Sequence, residues 1–438
     1  CFFAPLDRRG SQKQMTEKIK TNPRRAAFDS LRKIEESGRY SNLEIDSTLE
    51  KSEMSQADRG LYTRLVYGVT ERRLTLDYII SQYSRMSADK LDHDVLTALR
   101  LGVYQMMFMD RIPDHSAVNE SVELVSRAKS GYVNAVLRSF IRGGKKYTLP
   151  EDEEERLEVQ YSVPREICRI YKKACPDDID ALLEAMNREP HIALRLNRLK
   201  NPKLPEGCTE SVIARDVVLT DCMSDEIREG IADGRWFVQD EASRITSLAV
   251  GAKPGETVVD TCSCPGGKSF SMAIDMTDEG AVYSFDLHKN KLSLVDKGAE
   301  RLGIHIIKTE ARDARKPKEE LVGRADRVLC DAPCSGLGVI AKKPEIRYKN
   351  IKDIENLPKI QLDVLKGAAE YVRVGGVIVY STCTLNPDEN EGVVKAFLDS
   401  NDSFKLEENE YLCGGMRTFL PHNDGCDGFF AARMIRIK

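Results

Sequence analysis

The chain has 438 residues, of which 41% are apolar and 31% charged, with a formal net charge of −4. That length gives room for two or three domains with cores of their own, and no apolar run approaches the roughly 18 residues of a membrane span. The acidic balance excludes nucleic-acid binding through global positive charge, so any basic surface is local.

Residues 1–23 read as an N-terminal extension, with Met15-Thr-Glu-Lys resembling a natural start. Cys1-Phe-Phe-Ala-Pro-Leu is too short for a signal peptide. Twelve mostly scattered cysteines then fit free thiols in a reducing, cytoplasmic setting. From residue 24 to 142 the apolar period is helical throughout. Ala27, Leu31 and Ile34 begin it, Leu76, Ile79, Ile80 and Tyr83 repeat it, and Leu96, Leu99, Val103 and Met106 follow. Val118, Val122 and Val125, then Val133, Val136, Leu137 and Phe140, complete an all-helical domain of five or more helices. Its cations include Arg24, Arg25, Arg64, Arg72, Arg73, Arg100, Arg111, Arg127, Lys129 and Arg138. They read either as solvated helix faces or as phosphate contacts on an RNA surface, and periodicity does not choose between the two.

Residues 143–155, with Gly143-Gly144 and the acidic run Glu151–Glu155, lack apolar periodicity and read as a linker. Residues 156–245 are mixed: Asp178–Asn187 has a helical pattern, Ile192–Leu196 and Val217–Thr220 a strand pattern, which fits a small α+β subdomain. From 246 to 438, strands are expected at Val258–Asp260, Val282–Phe285, Ile304–Ile307, Arg327–Leu329 and Val377–Tyr380. Helical stretches such as Lys291–Leu302 and Lys359–Val372 lie between them. That alternation predicts a doubly wound, mainly parallel sheet, with ligands at the carboxyl ends of its strands.

The first of those ends is Asp260-Thr-Cys-Ser-Cys-Pro-Gly-Gly-Lys268, a strand, a bare glycine turn and a helix start. Free N–H groups and a helix N-terminus there form a ligand cradle, though the spacing matches neither common nucleotide-binding glycine motif. The second strand ends at Asp286, placed to accept hydrogen bonds from ribose hydroxyls; Asp313 follows the third. The fourth runs into Asp331-Ala-Pro-Cys-Ser335 and the fifth into Tyr380-Ser-Thr-Cys-Thr384. A cysteine beyond a strand's carboxyl end is either a small buried hydrophobe or a nucleophile; no histidine lies near Cys334 or Cys383, which disfavours protease-like chemistry. Cys262-x-Cys264 and Cys330-x-x-x-Cys334 lack paired zinc-ligand spacing, so no metal is expected.

These motifs, in this order, resemble the RNA 5-methylcytosine methyltransferases of the bacterial Sun/Fmu (RsmB-type) class, which act on 16S ribosomal RNA. Arg195-Leu-Asn197, Gln239-Asp-Glu-Ala-Ser243 and Asp427-Gly-Phe-Phe-Ala431 extend the match. Asp114-His-Ser-Ala-Val-Asn-Glu-Ser-Val122 and Val133-Asn-Ala-Val-Leu-Arg138 are similar to NusB, an RNA-binding antitermination factor. The resemblance implies an all-α NusB-like domain plus a Rossmann-like S-adenosylmethionine-dependent methyltransferase domain, the small α+β subdomain lying between. It implies a monomer acting on 16S ribosomal RNA, naked or in an assembly intermediate. It further implies that Cys383 attacks carbon 6 of cytosine, that Asp331 bonds the base edge near N3, and that Cys334 assists release. For the cofactor, the backbone of Cys262, Ser263, Cys264, Pro265, Gly266, Gly267 and Lys268 would hold the methionine part. Asp286 would hold the ribose and Asp313 the adenine end, with Asp331 bordering the site. Lys268 would neutralise either the cofactor carboxylate or Asp331.

Cys264 departs from the small residue usual there and reads as packing variation. Lys342, Lys343, Arg347, Tyr348 and Lys349 read either as an RNA grip or as a solvated loop. Transfer RNA as substrate, and a non-catalytic NusB-like binding protein, are the alternatives. A nitrogen methyltransferase is disfavoured, because Asp331-Ala-Pro-Cys334 stands where such enzymes carry Asn/Asp-Pro-Pro-Tyr.

Overall fold

The Asn22 side chain accepts hydrogen bonds from the backbone of Arg24 and Arg25, and Pro23 occupies the first helical position. This cap starts the helix Pro23–Ser37, which opens the helical part of the chain. The computed structural model describes residues 19–38 and 40–438, so most of the expected N-terminal extension lies outside the described residues. Helices Ser41–Lys51, Gln56–Glu71, Arg73–Tyr83, His93–Phe108, Asp114–Glu123 and Arg127–Arg142 follow. The apolar stripes legible in the sequence become their shared core, with Leu65, Leu76, Ile79, Leu99, Val133 and Leu137 all buried.

The chain divides into two compact units, a helical one reaching Arg169 and one beginning at Ile170. The helical unit thus extends past the stretch read as a linker. The acidic run there is the start of a helix, Glu153–Tyr161, capped by Asp152, whose carboxylate accepts from the Glu155 N–H at 2.9 Å. Three glutamates in a first turn favour the positive end of a helix dipole. Thr75 then donates to the Val159 carbonyl at 2.6 Å, tying this helix into the helical unit.

The helical unit also contains Ile340–Tyr348. Arg347 is buried and donates to the carbonyls of Tyr161 at 3.1 Å and Glu71 at 3.3 Å. Tyr348 donates to the Thr70 carbonyl at 2.9 Å, and the Arg73 guanidinium lies 3.5 Å from its ring centre. The RNA-grip reading of Arg347 and Tyr348 is therefore corrected: both side chains are consumed by packing. Arg100, read as a surface or phosphate-contacting cation, is likewise buried, in ion pairs with Asp77 at 2.6 Å and Glu35 at 2.9 Å.

In the second unit a small antiparallel sheet runs in the order Thr209–Glu210, Val217–Thr220, Ile192–Leu196, Trp236–Val238. Its core is Leu194, Val218, Ile227 and Trp236. The larger sheet has at its centre five parallel strands, Val372–Thr382, Ala325–Asp331, Thr257–Asp260, Ala281–Asp286 and Ile307–Ala311, in that spatial order. Phe429–Arg436 pairs antiparallel with Val372–Thr382 and carries Phe404–Leu406 and Met416–Phe419. The strand expected at Ile304–Ile307 runs instead over Ile307–Ala311, which leaves Asp313 just past it. The closing Gly-Phe-Phe-Ala motif enters that antiparallel strand. Among the described residues no helix is long and apolar enough to cross a membrane.

Two buried arginines connect the sheets. Arg244 holds Asp275 with both ends of its guanidinium, at 2.5 and 2.8 Å, and Arg195 reaches Asp216 and Asp275 at 3.3 Å. Asp275 is the last residue of the helix Gly267–Asp275 that follows the glycine turn. Gln239 holds the other end of that helix, donating to the Gly267 carbonyl at 3.1 Å and accepting from the Ser271 hydroxyl at 2.6 Å.

Candidate active site

The site lies along the carboxyl ends of the five parallel strands, where such a sheet leaves backbone groups and loops open to a ligand. At the end of Thr257–Asp260 the chain turns through Cys262–Gly266 into its helix. Gly266 has φ of 114°, and a Cβ there would lie 2.3 Å from the Phe270 ring. Only glycine fits both the backbone and the contact. The turn is braced from inside: Asp260 is buried and accepts from the Ser269 hydroxyl at 2.6 Å, and Ser269 accepts from Ser284 at 2.8 Å. Burial pushes the Asp260 carboxyl up to about 7. The Ser263 N–H is engaged with the Phe285 carbonyl, but its hydroxyl is buried with no partner. A bare turn, a helix N-terminus and a buried hydroxyl without a partner fit a small polar ligand with a carboxylate.

Asp286 ends the next strand, and its carboxylate accepts from the His288 N–H at 2.8 Å. Cys264 lies against that carboxylate; burial and the neighbouring charge push its thiol up to about 12, which makes it a poor nucleophile. Cys262 and Cys330 are held protonated chiefly by burial. Asp313 is gripped by the Arg315 guanidinium at 2.7 Å, which holds its carboxyl below the usual carboxylate range. Asp313 is therefore already committed to a neighbour in its own loop.

Asp331, Lys268, Cys334 and Cys383 come together although 115 positions separate Lys268 from Cys383. Lys268 Nζ lies 2.7 Å from one Asp331 oxygen, and the Ser381 hydroxyl donates to the other at 2.7 Å. Burial works against the Lys268 charge, but Asp331 outweighs it and raises the ammonium above its ordinary value; Cys383 acts in the same direction. The Lys268 ammonium also lies 4.9 Å from the Phe429 ring centre, a cation–π contact. Cys334 Sγ and Cys383 Sγ are 3.2 Å apart. The hydrogen bond to Cys383, then burial, holds the Cys334 thiol well above its ordinary range, with the Glu389 carboxylate adding to it.

Sequence reasoning missed three residues that order this cluster. Ser381 lies opposite Asp331 in the strand register; its place at the end of that strand, two residues before Cys383, was the available signal. Gln239 was read only as part of a motif. Glu389, fully buried, accepts from the Ser335 N–H at 2.9 Å. Lys349, read as part of the RNA grip, donates instead to the Ser335 carbonyl at 2.6 Å. Gly338 and Gly428 meet backbone to backbone, the Gly428 N–H donating to the Gly338 carbonyl at 2.9 Å. A Cβ on Gly338 would lie 1.8 Å from the Gly428 carbonyl oxygen.

The chain also matches known proteins. Residues 247–435 match the family model of the 16S rRNA methyltransferase RsmB/F, and residues 21–142 match the NusB family. The chain is 35% identical to the probable ribosomal RNA small subunit methyltransferase B of Bacillus subtilis, covering 95% of this chain and 99% of that protein. It is 32% identical to the protein of the same description from Synechocystis, covering 94% and 98%. The crystal structure of PH0851 superimposes with a TM-score of 0.79 at 26% identity, over 96% of this chain and all of that one. The chain belongs to the RsmB/F family of 16S ribosomal RNA methyltransferases, enzymes dependent on S-adenosylmethionine, and carries a NusB-family helical domain at its N-terminal side.

Proposed function

We propose that the enzyme methylates carbon 5 of a cytosine in small-subunit ribosomal RNA, with Cys383 forming a transient covalent bond to carbon 6. The observation that supports this most is the pair of thiols 3.2 Å apart beside the Lys268–Asp331 ion pair. Carbon 5 of cytosine is too weak a nucleophile alone; addition of a thiolate to carbon 6 turns the ring into an enamine with electron density on carbon 5. S-adenosylmethionine, when bound, supplies the methyl group that carbon 5 takes.

The backbone of residues 262–268 holds the methionine end of the cofactor, and Asp286 accepts from the ribose hydroxyls. Asp313 borders the adenine end through a carboxylate it shares with Arg315. Asp331, fixed by Lys268 and Ser381, aims at the base edge near N3, where its carboxylate accepts from the exocyclic amine, and the adjacent Lys268 ammonium offsets the negative charge that thiolate addition puts on the ring. The target base is extruded from its stack to reach these groups.

The two sulfurs are close enough to act on adjacent ring atoms, with separate tasks. Either sulfur can donate in the hydrogen bond between them; the family resemblance gives the attack to Cys383, and the surroundings that favour the protonated form of Cys334 fit that assignment. Once Cys383 is a neutral thioether, the largest cause that holds the Cys334 proton is gone. Cys334 then loses that proton to solvent and removes the proton on carbon 5. The carbon 5–carbon 6 double bond reforms, and Cys383 leaves as thiolate. The test uses labelled S-adenosylmethionine and unmodified small-subunit ribosomal RNA. Wild type should yield 5-methylcytosine and Cys383→Ala none; methylation at another position, or an active Cys383→Ala, overturns the reading.

A further inference from the structure

Glu389 lies six residues beyond Cys383, on a loop with no surface exposure at that side chain. One of its carboxylate oxygens accepts from the Ser335 N–H at 2.9 Å and from Gln361 Nε2 at 2.8 Å. The other accepts from Asn386 Nδ2 at 3.1 Å. Gln361 also donates to the Pro333 carbonyl at 3.0 Å. The residues on either side of Cys334 are thus both held by the Glu389–Gln361 pair. On the Cys383 side, the Glu389 carbonyl accepts from the Tyr380 hydroxyl at 2.7 Å, and Asn386 ties its side chain to the same loop. Two further bonds cross between the loops: the hydroxyls of Ser335 and Thr384 are 2.7 Å apart, and the Gly338 N–H donates to the Cys383 carbonyl at 3.0 Å.

Three N–H donors converge on this carboxylate, and among the described residues no lysine or arginine hydrogen-bonds to it. Burying a charge without a counter-ion is costly, and donors placed on both of its oxygens are what offset that cost. An amide cannot replace it without turning its own N–H group against a donor. A stabilising tie alone would be met by apolar packing at lower cost. What this carboxylate adds is a fixed position of one sulfur relative to the other.

We propose that Glu389 is a positioning residue that sets the place of Cys334 relative to Cys383, and so governs release of the covalent RNA adduct more than its formation. The proposal rests on the covalent mechanism above. The two sulfurs act on adjacent ring atoms, and Cys334 must reach the carbon 5 proton while Cys383 is still bonded to carbon 6. A displacement of about 1 Å at such a point costs on the order of 10²-fold in rate. Glu389 also favours the protonated form of Cys334 before attack, which keeps the two thiols from exchanging roles.

The test compares wild type, Cys383→Ala, Glu389→Gln and the double variant Glu389→Gln/Asn386→Asp, each with small-subunit ribosomal RNA and S-adenosylmethionine. In the double variant the new amide donates to the new carboxylate while its oxygen still accepts from Ser335 and Gln361. Glu389→Gln should lower kcat on the order of 10²-fold with KM for S-adenosylmethionine within about twofold, and should accumulate a denaturant-resistant protein–RNA adduct. The double variant should recover at least tenfold of the lost kcat and no longer accumulate adduct. Wild-type kcat in Glu389→Gln overturns the proposal. So does joint loss of cofactor binding, adduct formation and thermal stability, the mark of a merely structural residue. If wild type itself forms no 5-methylcytosine, or Cys383→Ala remains active, the covalent mechanism has failed instead.

Discussion

Replacing Lys268 by methionine keeps the length and apolar stem of the side chain and removes its charge. The ion pair with Asp331 is 2.7 Å long, with side-chain exposures of 13% for Lys268 and 28% for Asp331. Gross attraction at that distance is about 6 kcal/mol in an effective dielectric of 20. Desolvation offsets much of this, and breaking a buried pair costs about 3–5 kcal/mol net. The partial exposure of Asp331 places the expectation near the lower end, about 3 kcal/mol. Asp331 would keep only the Ser381 hydroxyl, and its aim at the base would loosen. If the loss falls on the transition state, kcat drops about 10²-fold. The assay is methyl incorporation into ribosomal RNA at saturating RNA with S-adenosylmethionine varied, with Lys268→Arg alongside to separate charge from shape. A Lys268→Met enzyme within about threefold of wild-type kcat would refute the reasoning. So would one whose only defect is a raised KM for S-adenosylmethionine, since Lys268 would then serve the cofactor and not Asp331.

Three further outcomes are expected. Gly266→Ala places a Cβ against the Phe270 ring in a backbone conformation with φ of 114°; calorimetry should show S-adenosylmethionine binding lost or weakened at least tenfold, while circular dichroism stays that of the folded chain. Asp286→Ala removes the acceptor for the ribose hydroxyls. Hydrogen bonds to a charged group contribute about 1.5–3 kcal/mol each, so the Kd should rise at least tenfold, and an unchanged Kd would remove Asp286 from the cofactor site. Asp260 has its carboxyl raised to about 7 by burial. The folded state therefore holds that proton more tightly than the unfolded chain does, and the stability it contributes is present at low pH and lost as pH rises toward 7. The span from about 4 to about 7 corresponds to about 4 kcal/mol. In denaturant titrations Asp260→Asn should flatten the decline in unfolding free energy between about pH 4 and pH 7; a wild-type slope in the variant contradicts this.

The parts of the site that were legible in the sequence are those fixed by local chemistry. Pro265 and the glycine pair must turn wherever they stand, and a thiol following Pro333 or Thr382 just beyond a strand has few ordinary uses. The helical stripes were legible for the same reason, since a 3.6-residue period forces one face inward. What was not legible depends on partners distant in the chain. Arg347 looks like any loop cation until the Glu71 and Tyr161 carbonyls, 276 and 186 positions away, consume its guanidinium. Glu389 stands in the polar run Asn386–Glu391, and it is buried by Ser335, from the loop after the strand Ala325–Asp331, and by Gln361, from the helix Leu357–Ala369. Ser381 needed the strand register that sets it opposite Asp331. The run Glu151–Glu155 misled in the other direction: lack of apolar period suggested a linker, but charge at a helix N-terminus is itself a start signal.

The division of roles between the two thiols is tested most directly by trapping. The Cys334→Ala enzyme is mixed with S-adenosylmethionine and unmodified small-subunit ribosomal RNA, denatured, digested with nuclease and protease, and its peptides are analysed by mass spectrometry. The expected result is a methylated cytidine nucleotide attached to the peptide containing Cys383. Turnover without any covalent adduct in that variant, or attachment at another cysteine, would contradict the assignment of Cys383 as nucleophile and Cys334 as the group that releases it.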